Sequence, residues 1–354
     1  MNKPDLLCMD ISALSSLLAS WGEPSYRARQ LFQWLQQKGV TDFFAMSNLP
    51  LSLQKRLIAE RQIDAPVIAR RQDAADGSTV KLLLTLADGE QIETVLMLYE
   101  REKSRNRATC CVSTQSGCVF ACAFCASGLF KTPRNLSAGE MVYQVLATAA
   151  IAQELGYSGI SNVVFMGMGE PLANLENLKQ AILLLNEEMG QNIGQRRMTV
   201  STCGLVPQIY ELADWGLQIG LAISLHAAEQ ALRQRLMPVA ARYSSAELLA
   251  ACRYYRQKTG RRVTMEYSLF AGINDSKQHA AQLASLLMGE DVLVNIIPAN
   301  NVEEAGIYAS NSEVIEMFCA QLRQQGLNIA VREKRGADID ASCGQLRGKL
   351  TINN

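Results

Sequence analysis

Apolar residues recur at helical spacing through residues 26–39, where Tyr26-Arg-Ala-Arg-Gln-Leu-Phe-Gln-Trp-Leu leads to Gly39, a residue suited to closing a helix. Residues 53–63 continue in the same style, so 1–70 predicts a helical unit. The period then changes. Two β-rich runs, 79–86 and 91–98, flank the turn pair Asp88-Gly89 and predict a hairpin. From residue 108 onward, short β-branched runs at 108–113, 162–165, 198–201, 218–224, 263–269 and 292–297 predict strands. Helical patterns at 137–155, 174–189, 205–214, 245–259, 276–288 and 311–325 follow most of them. Repeated strand–helix alternation builds a parallel sheet covered by helices, an open or closed α/β barrel, and 328–331 offers a seventh strand. The expected architecture is α/β: a partial parallel (βα)6 barrel with a small N-terminal helical domain and a β-hairpin linker. The divisions fall at 1–75 for the helical accessory domain, 76–107 for the hairpin and a basic linker, 108–335 for the core barrel and 336–354 for a C-terminal tail.

Composition narrows the function classes. The 354 residues are 48% hydrophobic and 19% charged, with 34 Lys plus Arg balanced by 34 Asp plus Glu. That balance excludes a uniformly basic nucleic-acid coat but leaves room for a local basic groove. Residues 101–107 carry four basic side chains (Arg101, Lys103, Arg105, Arg107) against one acidic. Lys131, Arg134, Arg196, Arg197, Arg261, Arg262, Arg332, Lys334 and Arg335 are expected to flank the site loops. No apolar targeting segment or membrane-length run is visible, which predicts a cytoplasmic protein. Ten cysteines in that setting point to reduced thiols, metal ligation or redox chemistry rather than a disulfide framework. With only His226 and His279, histidine-based metal sites and hydrolase dyads are poorly supplied, so sulfur would have to hold any metal.

The cysteines that matter most are Cys118, Cys122 and Cys125, on a loop directly after the first barrel strand. In such barrels chemistry sits beyond the C-terminal ends of the strands. Three thiolates there suit three irons of a 4Fe–4S cubane and leave the fourth iron open, whereas zinc would want a fourth ligand or a water. The bland alternative is three small buried side chains. After the second strand comes Gly167-Met-Gly169-Glu170-Pro171, whose glycines allow close backbone approach to a ligand and whose carboxylate suits an ammonium group. Alone this is a tight turn; after the cysteine loop it resembles the motif by which radical S-adenosylmethionine (SAM) enzymes hold the SAM amino group.

Further segments make the chain resemble one family, the Cfr/RlmN radical-SAM RNA adenine methyltransferases. They are Tyr26-Arg-Ala, Asp42-Phe, Met46-Ser-Asn-Leu, Ile92-Glu93-Thr-Val, Cys111-Val-Ser-Thr-Gln-Ser-Gly-Cys118, Arg134-Asn-Leu136, Val200-Ser-Thr202, Ala222-Ile-Ser-Leu-His226 and Asp338-Ile-Asp-Ala-Ser-Cys343-Gly-Gln-Leu346. The resemblance implies a radical-SAM barrel, one 4Fe–4S cluster on Cys118, Cys122 and Cys125, and two SAM molecules per turnover. It implies methylation of an adenine ring carbon (carbon 2 or carbon 8) in 23S ribosomal RNA, with transfer RNA as a second candidate. Cys343 matches the cysteine that carries the methyl, Cys111 the one that resolves the adduct through a transient disulfide with Cys343, and Glu93 the proton acceptor. Gly169, Glu170, Ser201, Ser224, Leu225, His226 and Asn300 match SAM-binding positions, although Ser201 and Ser224 could equally be strand-end caps and His226 a satisfied core histidine. An electron donor of the flavodoxin or ferredoxin kind, a monomeric state and no membrane complete the expectation.

Departures from the family pattern occur at Ala299-Asn300-Asn301, where an aromatic residue followed by Asn-Pro is usual, and in the charged 101–107 segment. These leave the target and the ring carbon open. Two other readings stand beside the methyltransferase: a radical-SAM activase or maturase, which would not need the Cys111 and Cys343 pair, and a non-catalytic iron–sulfur or zinc RNA-binding protein.

Overall fold

The computed structural model describes residues 3–100, 106–129, 133–301, 306–333, 335–341 and 344–346. Helices α1 (Ile11–Ser20), α2 (Tyr26–Phe32) and α3 (Leu51–Glu60) open the chain. Asp10 caps α1 by accepting from the Ala13 amide, and α2 runs into a wider π turn, Gln33–Gln37, rather than continuing regularly to Gly39. Their apolar faces, Leu14, Leu18, Leu31, Phe32, Leu35, Leu53 and Leu57, are buried in the same core as the sheet beyond.

That sheet has ten strands in chain order. The first, β1 (Val67–Asp73), begins inside the segment expected to be helical. The hairpin forms as expected, from β2 (Thr79–Thr85) and β3 (Gln91–Tyr99), and extends by antiparallel pairing to β1 on one side and to β4 (Arg107–Cys111) on the other. From β4 onward every pairing is parallel. Helix α4 (Ala138–Glu154) leads to β5 (Asn162–Phe165), α5 (Leu175–Asn186) to β6 (Met198–Thr202), and α6 (Val206–Asp214) to β7 (Gly220–Ser224). A short helix absent from the periodicity, α7 (Gln230–Leu236), precedes α8 (Ser245–Thr259) and β8 (Val263–Leu269). Then α9 (Lys277–Leu287), β9 (Val292–Pro298) and α10 (Ser312–Gln324) lead to the seventh parallel strand, β10 (Ile329–Val331). Among the described residues no helix is long and apolar enough to cross a membrane.

Parallel pairing brings the C-terminal ends of β4 to β10 to one rim, and the loops after β4 and β5 interlock there. Thr114 donates to the Met168 carbonyl (2.8 Å), Gly167 to the Val112 carbonyl (3.1 Å) and Met168 to the Ser113 hydroxyl (2.9 Å). The contact is too close for side chains. A Cβ on Gly167 would stand 2.7–2.9 Å from Ser113, and one on Gly169, at φ +96°, 2.6–2.7 Å from Gln115. The two glycines expected to admit a ligand therefore also admit the neighbouring loop.

Gly169→Ala is expected to lose about 1–3 kcal/mol to overpacking on top of about 1–2 kcal/mol for a left-handed Ala. Gly89, at φ +86° with nothing within 4 Å of an added Cβ, would lose only the second amount. Urea unfolding of the two variants checks this, and equal losses would show that the close approach costs nothing.

Candidate active site

The rim loops enclose a cleft into which Cys118, Cys122 and Cys125 all face. Their loop is held by its own backbone and by two distant segments. Cys125 donates to the Cys122 carbonyl (3.1 Å), Ala123 to the Leu236 carbonyl at the end of α7 (2.9 Å), and Ala126 to the Gly344 carbonyl of the tail (2.8 Å). Between the second and third cysteines, Phe124 stacks on Phe270 at 5.1 Å and meets the His226 ring edge-on at 4.7 Å. Burial pushes the Cys118 thiol up to about 12 and raises Cys122 well above its ordinary value, with the neighbouring thiols adding to both shifts. The surroundings of Cys118 and Cys122 thus disfavour isolated thiolates there. Among the described residues no three His, Cys, Asp or Glu side chains converge on a position for a single ion. Three thiolates on one short loop are the donor set of a cluster that offers each thiolate its own iron.

Glu170 stands next to them, buried, with Oε1 accepting from the Leu172 amide (3.0 Å) and Oε2 from the Cys203 amide (2.8 Å). Burial raises its pKa, and the bonds from Cys203 and its neighbours pull it back. A carboxylate so placed, on a wall of the cleft, can receive an ammonium group by a charge-assisted bond. Gly169, Ser201, Ser224, His226 and Asn300 line the same cleft. The Ser201 hydroxyl donates to Glu266 Oε2 (2.8 Å), so it does more than cap its strand. His226 takes a left-handed backbone (φ +55°), and its Nδ1 accepts from the Ser268 amide (3.0 Å). Burial, helped by the Arg233 charge, lowers its pKa to about 3. It is therefore neutral, carries its proton on Nε2, and is both a satisfied buried histidine and part of the cleft wall.

Several participants escaped the sequence reading. Glu266 is a carboxylate in the middle of the β-rich run 263–269, an unexplained charge at a buried strand position, and that was its only signal. Cys203 had no partner in sequence yet lines the cleft, and the buried Arg233 of α7 donates to its carbonyl (2.9 Å). Lys81, on β2, pairs with Glu93.

Other expected residues lie elsewhere. Leu225 is buried outside the cleft lining, and its amide donates to the Glu266 carbonyl (2.9 Å). Cys111 lines an adjoining pocket with Tyr99, Arg335 and Ala341; this pocket shares Met166, Ile297, Asn300 and Leu346 with the main cleft. Glu93 lines neither, being buried 3.1 Å from Lys81. Cys343 lies outside the described residues, as do Arg101, Lys103, Arg105, Lys131 and Lys334.

The expectation that the basic residues flank the site holds for Arg332 and Arg335, which line the Cys111 pocket, and needs correction for others. Arg196 and Arg197 immediately precede β6, and Arg261 and Arg262 precede β8, so all four sit at the N-terminal ends of parallel strands, the rim opposite the cleft. Arg134 is engaged by Glu140 (2.9 Å) and Asp88 (2.6 Å). Arg107 and Arg335 lie over the Tyr99 ring at 3.8 and 4.2 Å.

Comparison with known proteins agrees with this arrangement. Residues 112–284 match the family model of the radical SAM superfamily, and residues 4–63 match that of the ribosomal RNA large subunit methyltransferase N-terminal domain. A probable dual-specificity RNA methyltransferase RlmN of Heliobacterium modesticaldum is 46% identical over 95% of this chain and 87% of its own length. The protein of the same name from Alkaliphilus oremlandii is 44% identical over the whole of both chains. A crystal structure of a radical SAM methyltransferase from Sphaerobacter thermophilus superposes with a TM-score of 0.93 at 45% identity, covering 98% of this chain and all of that one. Similarity of this extent, running through the N-terminal helices, the cysteine loop and the tail alike, means that the chain belongs to the RlmN family of radical SAM RNA methyltransferases.

Proposed function

We propose that this enzyme methylates an adenine ring carbon, carbon 2 or carbon 8, in large-subunit ribosomal RNA and in transfer RNA, with Cys343 carrying the methyl carbon and Cys111 releasing it. The description of the N-terminal family and the dual specificity in the relatives' names support two classes of RNA. Cys118, Cys122 and Cys125 would hold the 4Fe–4S cluster. Glu170, Gly169, Ser201, Ser224, His226, Asn300 and the backbone at Leu225 would hold SAM, two molecules being consumed per turnover. When bound, the two supply one-electron chemistry able to take a hydrogen atom from a methyl group.

The protein's own groups do the rest. An adenine ring carbon is electron-poor and is no nucleophile toward a methyl sulfonium, so a carrier sulfur has to bring the carbon to it. Cys343 is that sulfur. Glu93 accepts the ring proton, as a positioned carboxylate can. The Cys111 thiolate then attacks the Cys343 sulfur and displaces the carbon, which leaves with the S–C bonding pair and takes up a proton to become the methyl group, while the two sulfurs form a disulfide that an external dithiol reduces. Reducing equivalents come from a donor of the flavodoxin or ferredoxin class, and the enzyme works as a cytoplasmic monomer.

One observation carries this reading. The residues on the two sides of Cys343 belong to different pockets: Ala341 lines the Cys111 pocket, whereas Gly344 lines the main cleft and its carbonyl accepts from Ala126 on the cysteine loop. A carrier that must meet the radical chemistry and the resolving thiol in turn belongs between those two.

Replacing any one of Cys118, Cys122 and Cys125 by Ala is expected to abolish cluster binding and SAM cleavage together, read as iron content and as loss of the brown chromophore. Full SAM cleavage by one such variant would defeat the ligand assignment. Cys111→Ala is expected to keep the cluster and the methyl on Cys343 but to accumulate covalently bound RNA, visible as a slow band on a denaturing gel that nuclease trims to a nucleotide-sized mass. Cys343→Ala should show neither the band nor turnover. Normal turnover by Cys111→Ala, or its inactivity without any adduct, would contradict the resolving role.

A further inference from the structure

Lys81 pairs across the sheet with Val95, and Val95 with Cys111. Directly paired residues share a face, so the three form one row, and Glu93, two residues along β3, lies on the same face. Lys81 Nζ is 3.1 Å from Glu93 Oε1, and the two side chains are only 7% and 5% exposed. The same ammonium donates to the Asp340 carbonyl (3.3 Å), three residues before Cys343. The tail is docked here by other contacts as well. Asp338 accepts from the Ala75 amide (2.9 Å), and Gly336 lies so close to Thr79 that a Cβ would stand 2.8 Å from its methyl. The Glu93 backbone is fixed too, its carbonyl accepting from the Ser113 hydroxyl (2.6 Å).

An ion pair buried this deeply is at best comparable in stability to apolar side chains of similar size, because desolvation offsets the attraction. Its presence calls for another reason. We propose that Lys81 is a positioning residue that aims the Glu93 carboxylate along the inner face and ties it to the tail bearing Cys343. This rests on the reading of Glu93 as the proton acceptor. The step served is a proton transfer alone: the ring proton passes to a Glu93 oxygen, the C–H bonding pair stays with the ring, and Lys81 keeps its charge throughout. Through Asp340 the lysine also ties the base to the carrier segment, so that the two are placed together.

The test compares Lys81→Met, Lys81→Arg and Glu93→Gln in full-length, anaerobically reconstituted enzyme given in vitro transcribed ribosomal RNA. Three quantities are read: the methyl on Cys343 by peptide mass, the covalent RNA adduct on a denaturing gel, and the release of methylated adenosine. Lys81→Met is expected to keep the Cys343 methyl, to accumulate adduct as Glu93→Gln does, and to release product about 100-fold more slowly, the scale of a lost general base. Lys81→Arg, which restores a cation, should recover most of the release. Three results would overturn the proposal: normal release by Lys81→Met beside a trapped Glu93→Gln, loss of the Cys343 methyl in Lys81→Met, which would make Lys81 only a tail anchor, or no recovery in Lys81→Arg. Normal release by Glu93→Gln would overturn the reading of Glu93 itself, and with it the proposal.

Discussion

Ser113 is the point on which the active-site end of the barrel hangs. Its amide donates to Gln144 Oε1 (2.7 Å) and its carbonyl accepts from Gln144 Nε2 (2.9 Å), which locks the residue to α4. Its hydroxyl donates to the Glu93 carbonyl of β3 and accepts from the Met168 amide beyond β5. One small residue, through backbone and hydroxyl together, thereby joins the end of β4 to α4, β3 and the loop after β5, two residues after Cys111 and five before Cys118. Gly167 packs so closely on it that an added Cβ there would stand 2.7–2.9 Å from Ser113. The cysteine loop, the Glu170 turn and the row of inner-face side chains on β3 and β4 take their positions from this junction. Buried hydrogen bonds of this kind gain strength from being fully satisfied and away from water, so the junction is rigid as well as central.

How much of this could be read from the chain depended on how local each signal was. The cysteine loop and the Gly167–Pro171 turn announced themselves because their groups stand within a few residues of one another at the ends of strongly β-branched runs. The barrel strands were legible for a related reason: mostly buried, they are short runs rich in β-branched and apolar residues with helical patterns between them. β1 was missed because it is an exposed edge strand, and Val67-Ile-Ala-Arg-Arg-Gln-Asp73 shows no buried face to set a period. α7 was missed because its seven residues, Gln-Ala-Leu-Arg-Gln-Arg-Leu, hold too few apolar positions for a helical stripe.

The pairings that matter most are long-range, and no spacing rule points to them. Ser201 with Glu266, Lys81 with Glu93 and Lys81 with Asp340 are each set by strand register or by the return of the tail. A different lesson comes from Arg196, Arg197, Arg261 and Arg262. Their distance from the cleft follows from strand direction alone, because residues that precede a parallel strand begin at the rim away from the chemistry. Counting basic residues near site loops in sequence confuses the two ends of a barrel that is only a strand long.

The electrostatics of the cleft explain why its parts must be assembled together. Burial opposes ionisation of Cys118 and Cys122, raises Glu170 and keeps His226 neutral, so few of these groups hold a charge cheaply on their own. Iron ligation needs thiolates, and in such a place a thiolate is affordable only as its metal arrives, so deprotonation and loading are coupled. The chain lowers the remaining cost by geometry. All three ligands fall within one short loop, which needs little further ordering because α7 and the tail already hold its backbone at Ala123 and Ala126. The second of those holds is the more telling. The residue that accepts from Ala126 is Gly344, next in sequence to Cys343, so the cysteine loop and the tail segment around Cys343 share a hydrogen bond. On the other side of Cys343 in sequence the same tail reaches Lys81, and through it Glu93. The described parts of the tail are thus docked on both sides of residue 343, at Asp340 against Lys81 and at Gly344 against Ala126, and contacts of this kind fix the orientation of a segment in advance.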